Sequence, residues 1–359
     1  MQAFVNPAVR RDAAYRGIFS AAEYEAVDAF YDSQPTLQPT PLLELPALAM
    51  SLGLGGLIVK DESTRFGLSA FKALGVRYAM GRIGRAALSR GVVSATAGNH
   101  GRALARAARD LGVPCTVFVP ELPPHAAPEE RATRAARVEG MVADGARLIE
   151  VGGTYEAAVA RAAAHATATG AAIVSDTGWP WYESIPHDIM AGYTRLFSEA
   201  SRQWTIAPDM VIIQAGVGGL ACAAASWLAF RDGPARPFLV VCEPDGSACL
   251  LESSRAGRAS RLRDTPANAT FMAGLRCSEP SHAAWPAVRD GADAFVSIPD
   301  AFARDAIARL KPHVDAGPSG ACGVGALLAI ASEPELADLR TACRMDESTR
   351  VLAIVSEGK

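Results

Sequence analysis

Lysine is scarce in this chain, and that scarcity points to the first residue able to do chemistry. Lysine and arginine together number 35 in 359 residues, yet only four are lysines: Lys60, Lys72, Lys311 and Lys359. Arginine therefore supplies almost every surface cation. A lysine can lose its proton and act as a base or as a Schiff-base nucleophile, which arginine cannot do. Each remaining lysine is a candidate for such a task.

Lys72 has the most informative setting of the four. It lies in SAFKALG, where the apolar spacing predicts a helix with Ser69 as its N-cap. The positive end of the helix dipole and the apolar neighbours Phe71 and Ala73 both disfavour an ammonium group. We therefore expect the amine of Lys72 to be available as a nucleophile or base.

A glycine-rich turn, QAGVGGLA, begins at Gln214, after an apolar strand and before an apolar helix. Glycines let backbone N–H groups close around an anion, and the helix dipole adds to the attraction, so a phosphate is the expected ligand. The turn also matches the dinucleotide pattern GxGxxA. Glu243 follows Gly216 by 27 residues, later than the roughly 20 usual for a ribose-binding acid. A nicotinamide-dependent oxidoreductase is therefore one alternative.

A second glycine turn, ATAGNHG, carries Asn99 and His100 between a predicted strand and a predicted helix. An asparagine at such a bend suits a phenolic oxygen or a carboxylate, because its amide both donates and accepts hydrogen bonds. A reactive lysine, a phosphate loop and an asparagine loop are together the parts needed to hold pyridoxal 5′-phosphate.

Strands and helices alternate through most of the chain, which predicts an α/β fold with mainly parallel sheets. Because single cores rarely grow past about 250–300 residues, the length predicts two domains. The uncharged stretch 211–230 contains the glycine turn, so we interpret it as strand, loop and buried helix instead of a membrane span. Asp61 and Glu62, beside Lys60, are interpreted as a surface turn, with a supporting role in the site as the alternative.

Composition excludes several classes of partner. The formal net charge is −3 and no basic block is present, so neither nucleic acid nor an anionic membrane is an expected partner. The seven cysteines include no CxxC pair, which predicts free thiols in a reducing compartment and no zinc or other metal site. The N-terminal segment lacks the apolar region of a secretory signal, and a cytoplasmic location is expected.

Ten segments extend these observations to a family resemblance. In order they are PTPLLEL, VKDESTRFGLSAFKALG, GNHG, SDTGW, ESIPHDIMAGY, QAGVG, EPD, MAGLRCSEP, SGACGVGAL and VSEG, and they span 39–358. The chain thereby resembles the fold-type-II (tryptophan synthase β-like) pyridoxal-phosphate enzymes, and within them the diaminopropionate ammonia-lyases. The resemblance implies a homodimer with a large cofactor-binding domain, 1–80 with 190–359, and a smaller domain, 81–189. Each domain is expected to be a mainly parallel sheet flanked by helices.

The resemblance also assigns roles to residues. Lys72 binds the cofactor covalently and is catalytic together with Asp176. Further residues are expected to bind cofactor, namely Phe71, Asn99, Gly216, Val217, Gly218, Gly219, Leu220 and Ser356. Those expected to bind the amino-acid substrate are Ser94, Thr96, Ala97, Gly98 and His100.

The implied reaction is α,β-elimination of a β-substituted amino acid, giving a 2-oxo acid and ammonia. β-Replacement, dehydration of another amino acid, and a non-catalytic pyridoxal-phosphate protein are the alternatives within the resemblance. Two residues depart from the ammonia-lyase pattern. Ala97 replaces the aspartate of TDGNHG, and Pro318 replaces the glutamate of GESGA. Since the methyl group of Ala97 accepts no proton, we predict that one enantiomer of the substrate, the L form, is preferred.

Overall fold

The computed structural model describes residues 1–34, 36–122, 126, 128–153, 155–263 and 269–358. Strands and helices alternate along the chain, as the sequence predicts. The strands are β1 Gln2–Val5, β2 Leu42–Glu44, β3 Gly56–Asp61, β4 Val92–Ala95, β5 Cys115–Pro120, β6 Arg147–Val151, β7 Ala172–Ile173, β8 Met210–Gln214, β9 Phe238–Pro244, β10 Ala294–Ile298 and β11 Arg350–Val355. The helices are α1 Ala21–Asp32, α2 Pro46–Ser51, α3 Lys72–Ile83, α4 Asn99–Leu111, α5 Pro128–Ala143, α6 Tyr155–Thr169, α7 Ser184–Gln203, α8 Gly219–Asp232, α9 Cys249–Ala256, α10 Trp285–Gly291, α11 Asp300–Leu310, α12 Cys322–Ser332 and α13 Ala337–Ala342.

The chain forms two compact units. One contains Met1–Phe71 with Tyr193–Lys359, and the other contains Lys72–Gly192. The predicted division falls at 80/81 and 189/190, so it differs from the observed one mainly in the assignment of α3. This helix belongs to the second unit because it packs against α4. Helix α7 runs through the second division point.

The first unit contains a seven-stranded sheet in the order β1-β10-β9-β8-β11-β3-β2. Its five inner strands pair in parallel, and the edge strands β1 and β2 are antiparallel to their neighbours. The inner strands β3, β8 and β10 are buried along their length, as expected when helices cover both faces of a parallel sheet. Much of the apolar core lies between this sheet and α12, whose sequence is almost entirely small or aliphatic.

The second unit contains a four-stranded, wholly parallel sheet in the order β6-β5-β4-β7. Val93, Ala95 and Phe118 of the sheet pack against Ala158 and Ala162 of the alanine-rich helix α6. Two mainly parallel sheets with flanking helices confirm the predicted α/β class. The segment 211–230 forms β8, a turn and α8, as interpreted, and in the residues described no helix is long and apolar enough to span a bilayer.

Candidate active site

Lys72 is the first residue of α3, which confirms its predicted place at a helix start. The prediction that Ser69 caps this helix is wrong. Ser69 lies three residues before the helix and has φ of 58°, a left-handed conformation in which it does not occupy the cap position. Phe66 and Gly67 are also left-handed, so the segment before Lys72 turns tightly, which helical spacing alone does not reveal.

The amine of Lys72 faces a carboxylate. Its Nζ donates to Oδ2 of Asp176 at 2.5 Å, and the two side chains retain 22% and 17% of their exposure. Burial by itself raises the pKa of Asp176, but attraction to Lys72 and His100 and the hydrogen bond from Lys72 outweigh it. The pKa of this carboxyl is therefore held well below its usual range. The pair combines a protonated amine with an ionised carboxylate.

His100 supports this pair from the buried side. Its Nε2 lies 2.8 Å from the carbonyl oxygen of Val174, and its Nδ1 lies 3.8 Å from Oδ2 of Asp176. A carbonyl only accepts, so Nε2 carries a proton. The ring is 4% exposed, and Nδ1 has no hydrogen-bond partner among the described residues. The sequence indicated His100 as a substrate ligand and did not indicate its approach to Asp176, which lies far along the chain.

The loop between β4 and α4 presents the remaining predicted substrate residues. Thr96, Ala97, Gly98 and Asn99 are partly exposed there, and Asn99 begins α4. The Thr96 hydroxyl accepts a hydrogen bond from the N–H of Gly98 and so holds the turn. Ser94 is different, because it is fully buried within β4. Its predicted contact with substrate stays a prediction.

The glycine turn of the first unit has the properties of an anion site. Gly218 has φ of +100° and caps α8, which begins at Gly219. The N–H groups of Gly216, Val217 and Gly218 donate to no acceptor in the part of the chain that the structure describes. A Cβ on Gly216 would lie 2.8 Å from the Cys277 sulfur, so the turn has no room for a side chain there. Unpaired donors at a helix start favour a phosphate.

Ser356 follows β11 in the same unit. Its carbonyl oxygen accepts a hydrogen bond from the N–H of Phe71, and its hydroxyl accepts one from the side-chain amide of Gln214 at 2.8 Å. The Phe71 ring packs at 4.8 Å from that of Tyr193. The sequence assigned no role to Gln214, although a polar residue ending the apolar strand MVIIQ was a usable signal.

The surface-turn interpretation of Asp61 and Glu62 is wrong, because both are buried. The Glu62 carboxylate accepts two hydrogen bonds from Arg65, which also donates to both carboxylate oxygens of Glu199. Lys60 is fully buried in the same cluster. Burial lowers the pKa of Lys60, and Glu62 and Glu199 oppose that shift. These acids neutralise buried cations and are not presented to a ligand.

Lys311 is exposed and pairs with Asp315, as expected of a solvated lysine, and Lys359 lies outside the described residues.

Comparison with known proteins decides the family. A family model described as pyridoxal-phosphate dependent enzyme matches residues 34–356. This chain belongs to that family. The cofactor is pyridoxal 5′-phosphate, which the family resemblance implied.

The pyridoxal-phosphate family includes relatives of known activity. Diaminopropionate ammonia-lyase of Salmonella typhimurium is 34% identical over 92% of this chain and 87% of its own length. The Escherichia coli diaminopropionate ammonia-lyase, solved with an aminoacrylate-PLP azomethine reaction intermediate, has a TM-score of 0.87 and 31% identity, covering 100% of this chain and 94% of its own. Its complex with D-serine has a TM-score of 0.85 at 29% identity, with the same coverage.

The residues present fit this cofactor. The partly exposed amine of Lys72 suits its aldehyde, and the unpaired N–H groups at the start of α8 suit its phosphate. The competing dinucleotide interpretation does not fit. Glu243 is fully buried and accepts hydrogen bonds from the N–H groups of Leu250 and Leu251, so it is not presented to a ribose. Burial raises its pKa to about 8, although those two bonds oppose the shift.

Proposed function

We propose that this protein is an ammonia-lyase acting on 2,3-diaminopropionate or a close analogue. The substrate loses its Cα proton and its β-amino group, and water completes conversion to a 2-oxo acid with release of the remaining nitrogen as ammonia. The observation that carries the proposal is the partly exposed Lys72–Asp176 pair. Two similar proteins are diaminopropionate ammonia-lyases, which supports this substrate class.

The chain's own residues divide the work. Bound pyridoxal phosphate supplies an electron-withdrawing ring that stabilises negative charge at Cα. Lys72, once its amine is free, takes the Cα proton. Asp176 lies within hydrogen-bond distance of this amine, so we assign it the binding and orientation of the departing β-ammonium group. The turn Gly216–Leu220 binds the phosphate through its backbone N–H groups.

The enantiomer preference follows from Ala97. Lys72 serves one face of the substrate, and a methyl group at position 97 offers no base to the other. Loss of a positioned base typically costs about 10²–10⁴-fold in rate, so we expect kcat/KM for the D form to fall below that for the L form by this factor. Ala97→Asp should raise the D activity. Comparable kcat/KM values for the two forms in the unaltered protein would refute the preference.

The direct test is a substrate panel with both products counted. Diaminopropionate should yield two ammonia molecules for each 2-oxo acid, whereas serine or threonine yields one. Preference for serine or threonine would indicate a dehydratase, and substrate loss without 2-oxo acid in the presence of a nucleophile would indicate β-replacement. No turnover of any amino acid by cofactor-loaded protein would indicate a non-catalytic role.

We further propose a cytoplasmic homodimer in which the first unit carries the phosphate site. None of the seven cysteines, all of them in the described ranges, forms a disulfide, and six of them are buried, which supports a reducing compartment. The resemblance to fold-type-II enzymes supports the dimer. Light scattering should give about twice the chain mass of 37.5 kDa, and a mass equal to that of one chain would contradict the proposal.

A further inference from the structure

Two polar side chains meet at the carboxyl ends of neighbouring parallel strands in the first unit. Gln214 ends β8, and Ser356 directly follows β11. Both are almost fully buried, at 2% and 3% exposure. The side-chain nitrogen of Gln214 lies 2.8 Å from Oγ of Ser356, 2.9 Å from the carbonyl oxygen of Ile354 and 3.2 Å from that of Gly320.

The two carbonyls decide how the Gln214 amide is oriented. Turning the amide over would place its oxygen against the carbonyl oxygens of Ile354 and Gly320, which only accept hydrogen bonds. The NH₂ group must therefore face them, and it must also face Ser356.

The amide in turn decides what the serine hydroxyl does. An amide nitrogen has no lone pair to offer, so Ser356 Oγ accepts from Gln214 and its own proton points elsewhere. Within the described ranges, this hydroxyl donates no hydrogen bond. A buried hydroxyl that donates no hydrogen bond within the protein is available to donate one to a bound ligand.

We infer that Gln214 is a positioning residue that makes Ser356 a hydrogen-bond donor to the pyridine nitrogen of the cofactor. The inference rests on the proposed function, in which the cofactor ring lies beside Ser356. A nitrogen that accepts a hydrogen bond keeps its lone pair and stays unprotonated. The ring then withdraws less negative charge, which favours elimination, where a leaving group removes that charge, over transamination.

The test is the ¹⁵N chemical shift of the pyridine nitrogen in protein reconstituted with ¹⁵N-labelled pyridoxal phosphate. The unaltered protein should show a hydrogen-bonded, unprotonated nitrogen. In Gln214→Glu the new carboxylate oxygen accepts a hydrogen bond from the Ser356 hydroxyl. The hydroxyl oxygen then presents a lone pair to the pyridine nitrogen. The nitrogen should then become protonated and move strongly upfield. Ser356→Asp, which places a carboxylate at the nitrogen, is the positive control.

Gln34→Glu, the same substitution at a partly buried position just after α1 in the first unit, is the matched control and should leave the shift unchanged. Should Gln214→Glu fail to fold, Gln214→Met carries the test. Methionine leaves vacant the Ile354 carbonyl that the Gln214 amide occupied, so the Ser356 hydroxyl can turn to it. The nitrogen then loses its donor and its signal should move downfield. A protonated nitrogen in the unaltered protein, or an unchanged shift in a folded Gln214 variant, would overturn the inference. Absence of any cofactor binding would instead overturn the proposed function.

Discussion

Two lysines of this chain face carboxylates in very different ways. Lys60 is fully buried and donates to the carbonyl oxygen of Thr40 at 2.6 Å and to Oε1 of Gln203 at 2.8 Å, with Glu199 at 3.3 Å. Lys72 keeps 22% of its side-chain exposure beside Asp176. All three donors of the Lys60 ammonium therefore have protein partners, whereas Lys72 can be reached from solvent.

This difference distinguishes charged groups that stabilise the fold from charged groups that a ligand can reach. Around Lys60 the acids and cations pair with one another, and the Arg65 guanidinium binds both Glu62 and Glu199. The cluster therefore stabilises the fold and has little capacity left for a ligand. The Lys72–Asp176 pair is open, and the nearby Nδ1 of His100 is unpaired among the described residues. Partial exposure, with the unpaired Nδ1 of His100 beside it, distinguishes the Lys72–Asp176 pair from the Lys60 cluster.

The largest expected effect follows from removing Lys72. Lys72→Ala should lower kcat by at least about 10³-fold, because both the covalent attachment and the base are lost. Its unfolding curve is measured as well, because the ion pair with Asp176 is lost together with the amine. Lys311→Ala, which removes an exposed ion pair with Asp315, is the matched control and should keep full activity. A Lys72→Ala protein with more than a tenth of normal activity would show that Lys72 is not required for catalysis.

Arg65 should show the opposite behaviour. Arg65→Met leaves Glu62 and Glu199 buried without their main partner, so the free energy of unfolding should fall by about 3–5 kcal/mol. Urea denaturation monitors this loss, while kcat of the folded fraction should stay within a few-fold of normal. Unchanged stability together with abolished turnover would show that the cluster is part of the site.

Asp176→Asn should reduce kcat by about 10²-fold while the cofactor is still bound, because the amide keeps the shape and loses the charge.

The lowered pKa of Asp176 also has a consequence for the pH dependence of stability. Its charge persists above the ordinary carboxyl value of about 3.9, and the stability it contributes is lost as pH falls below that value. In the cofactor-free protein, an acid-unfolding profile that Asp176→Asn leaves unchanged would contradict this account.

The smallest effect concerns the acid stability of the Lys60 cluster. Burial tends to raise the pKa of Glu199, but Arg65, Lys60 and Arg195 outweigh it and lower the pKa. The resulting stability is present above about pH 4.3 and is lost as pH falls through the lowered pKa, by at most about 1.4 kcal/mol per pH unit. Glu199→Gln should flatten this dependence, and the exposed control Glu252→Gln should not. An equal slope in all three proteins would argue against the cluster as a stabilising element.

Local patterns explain what the sequence could predict. Alternating apolar segments with glycine turns indicated the α/β class, and the scarcity of lysine singled out Lys72. Contacts between distant segments were not accessible in this way. Lys72 and Asp176 are 104 residues apart, Arg65 and Glu199 are 134 apart, and Gln214 and Ser356 are 142 apart. The family resemblance supplied Asp176 and Ser356, but the partners of Arg65 and Gln214 depend on tertiary packing that no spacing encodes.

The central claim is that Lys72, and not the other lysines, carries the cofactor. Borohydride reduction of the holoprotein followed by tryptic mapping tests it directly, because a modified lysine is not cleaved by trypsin. We expect the cofactor label in one uncleaved peptide, 66–77, with Lys60 and Lys311 unlabelled. Label on Lys60 or Lys311, with normal cleavage after Lys72, would contradict the account.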